Sequence, residues 1–469
     1  MKNIVINEWK GLFRNRLFLV LVCIFTIALL LTTYLGILQN NTQILAQKEA
    51  QEHIREQWDS MDPTNPHRAA HFGSYAFKPT NLLNSLDEGI NAVTGNVLRL
   101  EGHTQNDVMF SEASQSLLIS KFGKLKPSLL FQFIIPLFLI FLSFNSYIAE
   151  RESGRLKLLL VQGASLKKIV FSKVFSIWII GLLLLISTTF VQLIFNTYDL
   201  SFDAIFRLIL FVCSYGCYYL TLITLTVLLS LIFKNATGAL SLSIVIWVMW
   251  TVFLPKIIGN TVEKISPFPT RVEFQNAMDV DRSKGIDGHN PSGDRKKELE
   301  EKTLAKYQVN SVSELPVNFS GILMQADEEY GNDVWDKHFG SLYKQLQIQK
   351  RNYQLSGFFN PFASVQSLSM GTAGTDMFHH LDFLKQAENY RRFFIKKLND
   401  EYAFGGSKTG DRSWKADTKF FQSVKDFSYT FPVFLSFLSK YILDILFLFI
   451  WSVCLLFWLK YSSEKTIFL

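Results

Sequence analysis

The chain has four cysteines in 469 residues, Cys23, Cys213, Cys217 and Cys454, and none lies outside a long apolar run. Its polar segments therefore hold no disulfide and must be stabilised by packing. Cys213 and Cys217 are one helical turn apart, a spacing a soft metal accepts. Among Val, Tyr and Leu, however, they read as small packing residues with no chemical role. Catalytic signatures are absent too: no Gly-x-Ser-x-Gly, His-Glu-x-x-His or Cys-x-x-Cys occurs. Gly406-Ser407-Lys408-Thr409 looks like the end of a phosphate-binding loop but lacks its Gly-Lys pair and upstream glycine. No arginine-rich face or nucleic-acid motif accompanies the net charge of +7, so nucleic acid is not a partner. No strong alternation of apolar and polar residues appears either, which argues against strands.

What the chain does have is apolar length. Six runs, at 17–38, 129–148, 169–195, 205–233, 239–258 and 432–459, meet or exceed the ~20 residues a helix needs to cross ~30 Å of hydrocarbon. Backbone groups cannot go unpaired in lipid, so each run is expected to be helical. The run at 17–38 is too long for a cleavable signal peptide and ends without Ala-x-Ala, so it is kept as the first span. Lys2, Lys10, Arg14 and Arg16 precede it, and Arg151, Arg155, Lys157, Lys167 and Lys168 fall between runs two and three. Lys234, Lys460 and Lys465 belong to the same side, whereas the loop at 196–204 carries no Lys or Arg. Positive charge marks the cytoplasmic face. Lys121, Lys124 and Lys126 run against the trend without reversing it. The expected fold is an all-α polytopic membrane protein, N-in and C-in, with a mainly helical extracytoplasmic domain built from two insertions.

The expected organisation is an amphipathic elbow at 1–16, a first extracytoplasmic segment at 39–128, a cytoplasmic loop at 149–168, a second extracytoplasmic segment at 259–431 and a cytoplasmic tail at 460–469. Within the outer segments, helices are predicted at 44–58, 85–100, 111–122, 294–308, 324–354 and 376–403, and the two segments are expected to pack as one unit. The cytoplasmic parts total on the order of 50 residues, too few for an ATPase core of ~100–200 residues. The chain is thus expected to be non-catalytic and to carry no cofactor.

All eight histidines lie in the outer segments. His67 and His71 are four apart, as a metal pair on one helix face requires, but Pro66 and Gly73 bracket them. The reading preferred here is structural: both hydrogen-bond, and no metal is expected. The metal alternative needs a third ligand such as His103 or His379. Asp444 is the only acid well inside an apolar run, a position that commonly marks function. With Lys440 one turn away, a local ion pair is the first expectation.

The stretch Glu150-Arg151-Glu152-Ser153-Gly154-Arg155-Leu156-Lys157-Leu158-Leu159-Leu160-Val161-Gln162-Gly163 reads as a docking element. A short helix there would offer Leu156, Leu159 and Leu160 as an apolar face, rimmed by Glu150, Glu152 and Arg155. The stretch resembles the coupling loop of ABC-2 type (type V exporter-like) permeases. Residues 4–13, with Trp9 and Phe13, are similar to the interfacial elbow helix of that family. His67-Arg68-Ala69-Ala70-His71-Phe72-Gly73-Ser74-Tyr75-Ala76-Phe77-Lys78-Pro79 resembles a signature of permeases carrying a DUF3526 domain. Asn360-Pro361-Phe362-Ala363, Ala373-Gly374-Thr375-Asp376 and Ala387-Glu388-Asn389-Tyr390-Arg391 do so as well. The resemblance covers nearly the whole chain. It implies a bacterial inner-membrane permease that pairs with a second copy or a paralogue and binds two copies of a separate ATPase holding ATP and Mg. Substrate and direction are not implied. Phe72, Gly73, Tyr75, Phe77 and Pro79 are expected to pack at the junction of the outer segments, which would contact an exported substrate or a periplasmic partner. The competing reading from another class is a membrane-anchored sensor or scaffold that transports nothing.

Overall fold

A computed structural model of the chain describes residues 2–103, 125–195, 200–411 and 413–465. The expected helix at 111–122 lies outside them, as do Lys121 and Lys124. Six helices are long and apolar enough to cross a membrane: Arg16–Asp59, Pro127–Glu152, Leu166–Ile194, Phe202–Ile232, Ala236–Ile265 and Phe434–Lys465. The first has 44 residues, hence a length of about 66 Å. It outruns the bilayer and absorbs the helix expected at 44–58 without a break. Cys23, Cys213 and Cys454 face outward on the apolar surface and Cys217 is half-buried, so packing does not account for most of them.

Two spans carry a proline and a matching device. Pro136 and Pro255 have no N–H, so each deprives an earlier carbonyl of its donor. Each follows a π-turn, Leu130–Ile134 and Met249–Phe253 respectively. The carbonyl five residues before each proline is satisfied from elsewhere. Tyr219 Oη donates to Phe131 O at 3.1 Å, and Asn360 Nδ2 donates to Trp250 O at 2.9 Å. Borrowed donors of this kind make proline tolerable at membrane depth.

Beyond the spans, the two polar segments fold together as a head. Trp58 at the far end of the first span packs with Ala69, Ala70, Phe394, Ile395, Leu398 and Phe421, and its Nε1 donates to Phe421 O at 2.8 Å. Arg55 pairs with Asp59 and with Asp426, from the second segment. The sequence reading misplaced local structure here. Residues 85–100 are not one helix: they contain a 3-10 turn ending at Ser85, a single turn Asn91–Thr94 and a strand, β2 (Val97–Leu100). This strand pairs antiparallel with β1 (Ser74–Phe77), Ser74 opposite Leu100. Gly406-Ser407-Lys408-Thr409 lies against another element of the head. Its hydroxyls meet the start of helix Phe319–Leu355, where Thr409 Oγ1 accepts from Phe319 N at 2.9 Å and Ser407 Oγ accepts from Asn318 Nδ2 at 2.7 Å.

The largest departure concerns Pro361–Ala373, expected in the head. This helix dips among the spans. Phe362 meets Phe133 and Tyr218, Ser369 Oγ accepts from Tyr215 Oη at 2.9 Å, and Gly371 lies against Tyr441. With the end of Phe319–Leu355 it forms a re-entrant hairpin whose irregular tip at 356–360 is held by Asn360 and by Trp451 Nε1 donating to Gly357 O at 3.1 Å. Asp444 faces this hairpin rather than Lys440. It accepts from Gln354 Nε2 at 2.5 Å and Ser367 Oγ at 2.8 Å, while Lys440 Nζ sits 3.9 Å over the Phe437 ring. The expected Asp444–Lys440 pair is therefore replaced by hydrogen bonds across elements.

Candidate functional site

The basic ends of the spans gather at one end of the bundle. The elbow, Lys2–Arg14, is followed by Asn15, whose side chain caps the first span. Trp9 Nε1 donates to Ser176 O in the third span at 3.2 Å, and Phe13 packs edge-on against Phe18 at 5.7 Å. Trp9 is thus anchored to the third span, while Phe13 is half exposed. Glu8 on the same helix reaches Lys173 at 2.7 Å.

Lys173 is buried in the third span and holds a second carboxylate, Glu150, at 3.2 Å. Arg155 Nε approaches the other oxygen of Glu150 at 3.4 Å. Glu150 is therefore not the solvent-facing rim residue expected of it. It is buried, and it ties the loop to the third span and the elbow. Burying charges is costly unless they are paired, and removing one partner is costlier still. This cluster accordingly fixes the loop's root. Gly154 and Gly163 bracket the loop helix Arg155–Val161 with φ of +72° and +86°. No atom crowds either one, so backbone conformation alone asks for glycine there.

The loop helix also turns differently from expectation. Leu156 is buried in the bundle's own core, with Leu159 and Leu160 half-buried against it. Leu156 is therefore internal and not exposed on the face expected of it. The exposed apolar side chains are Leu158, 65% exposed, and Val161, 87% exposed. Glu152, Arg155, Lys157 and Gly163 are exposed around them.

The third span carries this node to the head. From Lys173 to Gln192 is 19 residues, about 28 Å of helix. Gln192 Oε1 accepts from Ser85 Oγ at 2.7 Å and its Nε2 donates to Leu82 O at 2.8 Å. A second tie joins the fourth and sixth spans to the re-entrant hairpin. Arg207 pairs with Asp203 at 2.6 Å and donates to Thr372 O at 3.2 Å and Pro432 O at 2.7 Å. Next to it Asp376 accepts from Tyr441 Oη at 2.8 Å and contacts His379 Nδ1 at 2.7 Å.

In the head, residues 67–78 pack against residues of the second segment. Ala69, Ala70 and Ala76 are buried against the second segment, while Tyr75 and Phe77 are half-buried and Phe72 and Pro79 are exposed. Gly73 turns into β1 at φ +75°, where a Cβ would lie 2.5 Å from Leu100 O. His67 and His71 occupy one face of the short helix Pro66–Phe72, with Nε2 atoms 3.3 Å apart. Burial and the neighbouring His71 and His103 lower the basicity of His67. His103 contacts Glu328 through Nδ1 at 2.8 Å, and that hydrogen bond raises its pKa. Burial alone would raise the Glu328 carboxyl, but His103 and Arg391 outweigh it and hold it at about 2. Sequence reasoning missed Lys173, Glu8, Arg207 and Glu328, since none sits in a motif and each acts across elements.

Two family matches agree with this architecture. Residues 271–430 match the domain of unknown function DUF3526. No curated protein and no solved structure matches the chain. Residues 2–304, which take in the elbow, five of the six candidate spans and the loop, match the ABC-2 family transporter proteins, and the chain belongs to that family as a membrane permease component.

Proposed function

We propose that this chain is the membrane-spanning subunit of a bacterial inner-membrane ATP-binding cassette exporter, or of a machine that transmits force across that membrane. Two copies of a separate ATPase, which bind ATP and Mg, drive a pair of permeases, either two copies of this chain or this chain with a paralogue. The termini and the loop are cytoplasmic and the head is periplasmic, where it gates or docks an exported substrate or a partner protein. The observation that carries this reading is the loop helix. It shows Leu158 and Val161 to solvent while its root is locked by Glu150, Lys173 and Glu8. A helix too short to fold alone, rigidly rooted and apolar at its tip, suits transmission of a push to the third span and on to the head.

Burying Leu158 and Val161 is worth roughly 3–5 kcal/mol before association costs. The double variant Leu158→Asp/Val161→Asp should therefore lose the ATPase on purification while melting like the parent. Leu156→Asp should instead lower the melting temperature, because that leucine is internal. Retention of the ATPase and of transport-coupled hydrolysis by the double variant would remove the loop from this role.

A further inference from the structure

Three imidazoles converge on the head. Asn65 caps the helix Pro66–Phe72 by accepting from His67 N at 2.9 Å, which fixes His67 and His71 one turn apart on one face. β2 brings the third: Gly102 N donates to Ala70 O at 3.0 Å, and the next residue is His103. One ring nitrogen from each of the three lies within 4.8 Å of the others. His103 adopts φ +64°, one of two non-glycine residues with positive φ among those described. Such a conformation is uncommon outside glycine and needs the surroundings to hold it. Glu328 does so, accepting from His103 N at 2.6 Å while its Oε1 lies 2.8 Å from Nδ1. Glu328 is buried and pinned by Arg391 at 3.1 Å.

A carboxylate on Nδ1 sets the His103 tautomer, leaving the Nε2 lone pair free. This is the outer-shell arrangement of metal-binding histidines. A tetrahedral ion with M–N bonds of 2.0–2.1 Å separates its ligand nitrogens by about 3.3–3.4 Å. The His67–His71 separation of 3.3 Å matches that edge. Closing the others needs an approach of on the order of 1 Å by rings of which His71 and His103 are exposed and His67 is half-buried. A plain hydrogen bond between His67 and His71 would account for those two rings but not for the approach of His103 to both. Imidazoles alone, with neither thiolate nor carboxylate in the inner set, select zinc, copper or nickel over magnesium or calcium.

We infer that His67, His71 and His103 form a three-histidine site for a borderline transition-metal ion such as Zn²⁺, with Glu328 as the positioning residue. Three protein ligands leave the fourth position to water or an incoming ligand, as in sites that exchange or react rather than closed structural ones. The site stands on its own geometry and does not depend on how the ATPase docks.

The test uses the full-length protein in detergent, without a histidine tag and stripped with chelator. Titration with Zn²⁺, and with Co²⁺ read by its visible absorption, should show one ion per chain and a tetrahedral cobalt spectrum. His71→Ala and His103→Ala should each weaken binding at least tenfold while melting like the parent, because both rings are exposed. Glu328→Gln should weaken it ten- to a hundredfold by freeing the His103 tautomer. His53→Ala, on the exposed surface of the first span, should change nothing. Substoichiometric zinc, or binding that survives both His71→Ala and His103→Ala, would overturn the site.

Discussion

Single residues show most directly what burial does to charge. Glu150 was legible as part of a loop motif, yet its role depends on Lys173, 23 positions later, and on Glu8, 142 positions earlier. No local pattern connects the three. Leu156 and Leu158 are indistinguishable by type, and which one faces the bundle is decided by the packing of a seven-residue helix. Glu328 gives the sharpest prediction at this scale. Its carboxyl is held at about 2 in the fold against an ordinary value of 4.5. A depressed acid adds stability that is complete above the unfolded value and is lost as pH falls through the folded one. The contribution is thus present at neutral pH and disappears between about pH 4.5 and 2, amounting to roughly 3 kcal/mol. Melting of the stripped protein from pH 6 to pH 3 should fall more steeply for the parent than for Glu328→Gln. Equal slopes would mean that Arg391 and His103 do not hold that charge.

At the scale of elements, length was the reliable signal. Runs of 20 or more apolar residues became the six candidate spans because lipid leaves the backbone no alternative. Short elements failed for the opposite reason. Four-residue strands carry too little alternation to be read, and β1 and β2 exist because Gly73 and the second segment position them. The re-entrant helix Pro361–Ala373 has 13 residues, several of them serine, so its hydropathy does not announce membrane depth. Ser367 and Ser369 are instead turned to Asp87, Tyr215, Lys350 and Asp444. Asn360 should be the weakest point to disturb, since it both caps this helix, accepting from Phe362 N at 3.1 Å, and donates to Trp250 O. Asn360→Ala loses a cap worth ~1 kcal/mol and strands a buried carbonyl at ~1–3 kcal/mol. Tyr219→Phe strands only the Phe131 carbonyl and should cost about half to three quarters as much. Melts of the two variants in detergent check the order. If Asn360→Ala melts no lower than Tyr219→Phe, the proline-compensation account fails.

For the whole molecule, the consequence is orientation. An even number of spans puts both termini on one side, and contacts bind the basic regions together at that end. Lys167 meets Glu464 at 3.2 Å, Lys173 meets Glu8 at 2.7 Å, and Arg151 donates to Lys234 O. Lys and Arg that cluster this way resist translocation, which supports the proposal that this end is cytoplasmic and the head periplasmic. Head and loop are also joined through the third span, so under the proposed function this orientation decides which side would receive a push and which would act on it. Thiol labelling distinguishes the two orientations, provided the four native cysteines, three of them on the apolar surface, are first replaced by alanine. Ser85 is buried against Gln192 and would not report, but Ser341 and Ser165 are both exposed. In intact cells an impermeant maleimide should modify Ser341→Cys and leave Ser165→Cys untouched until the membrane is opened. Labelling of Ser165→Cys from outside would invert the molecule and, with it, place the loop beyond the reach of any cytoplasmic ATPase.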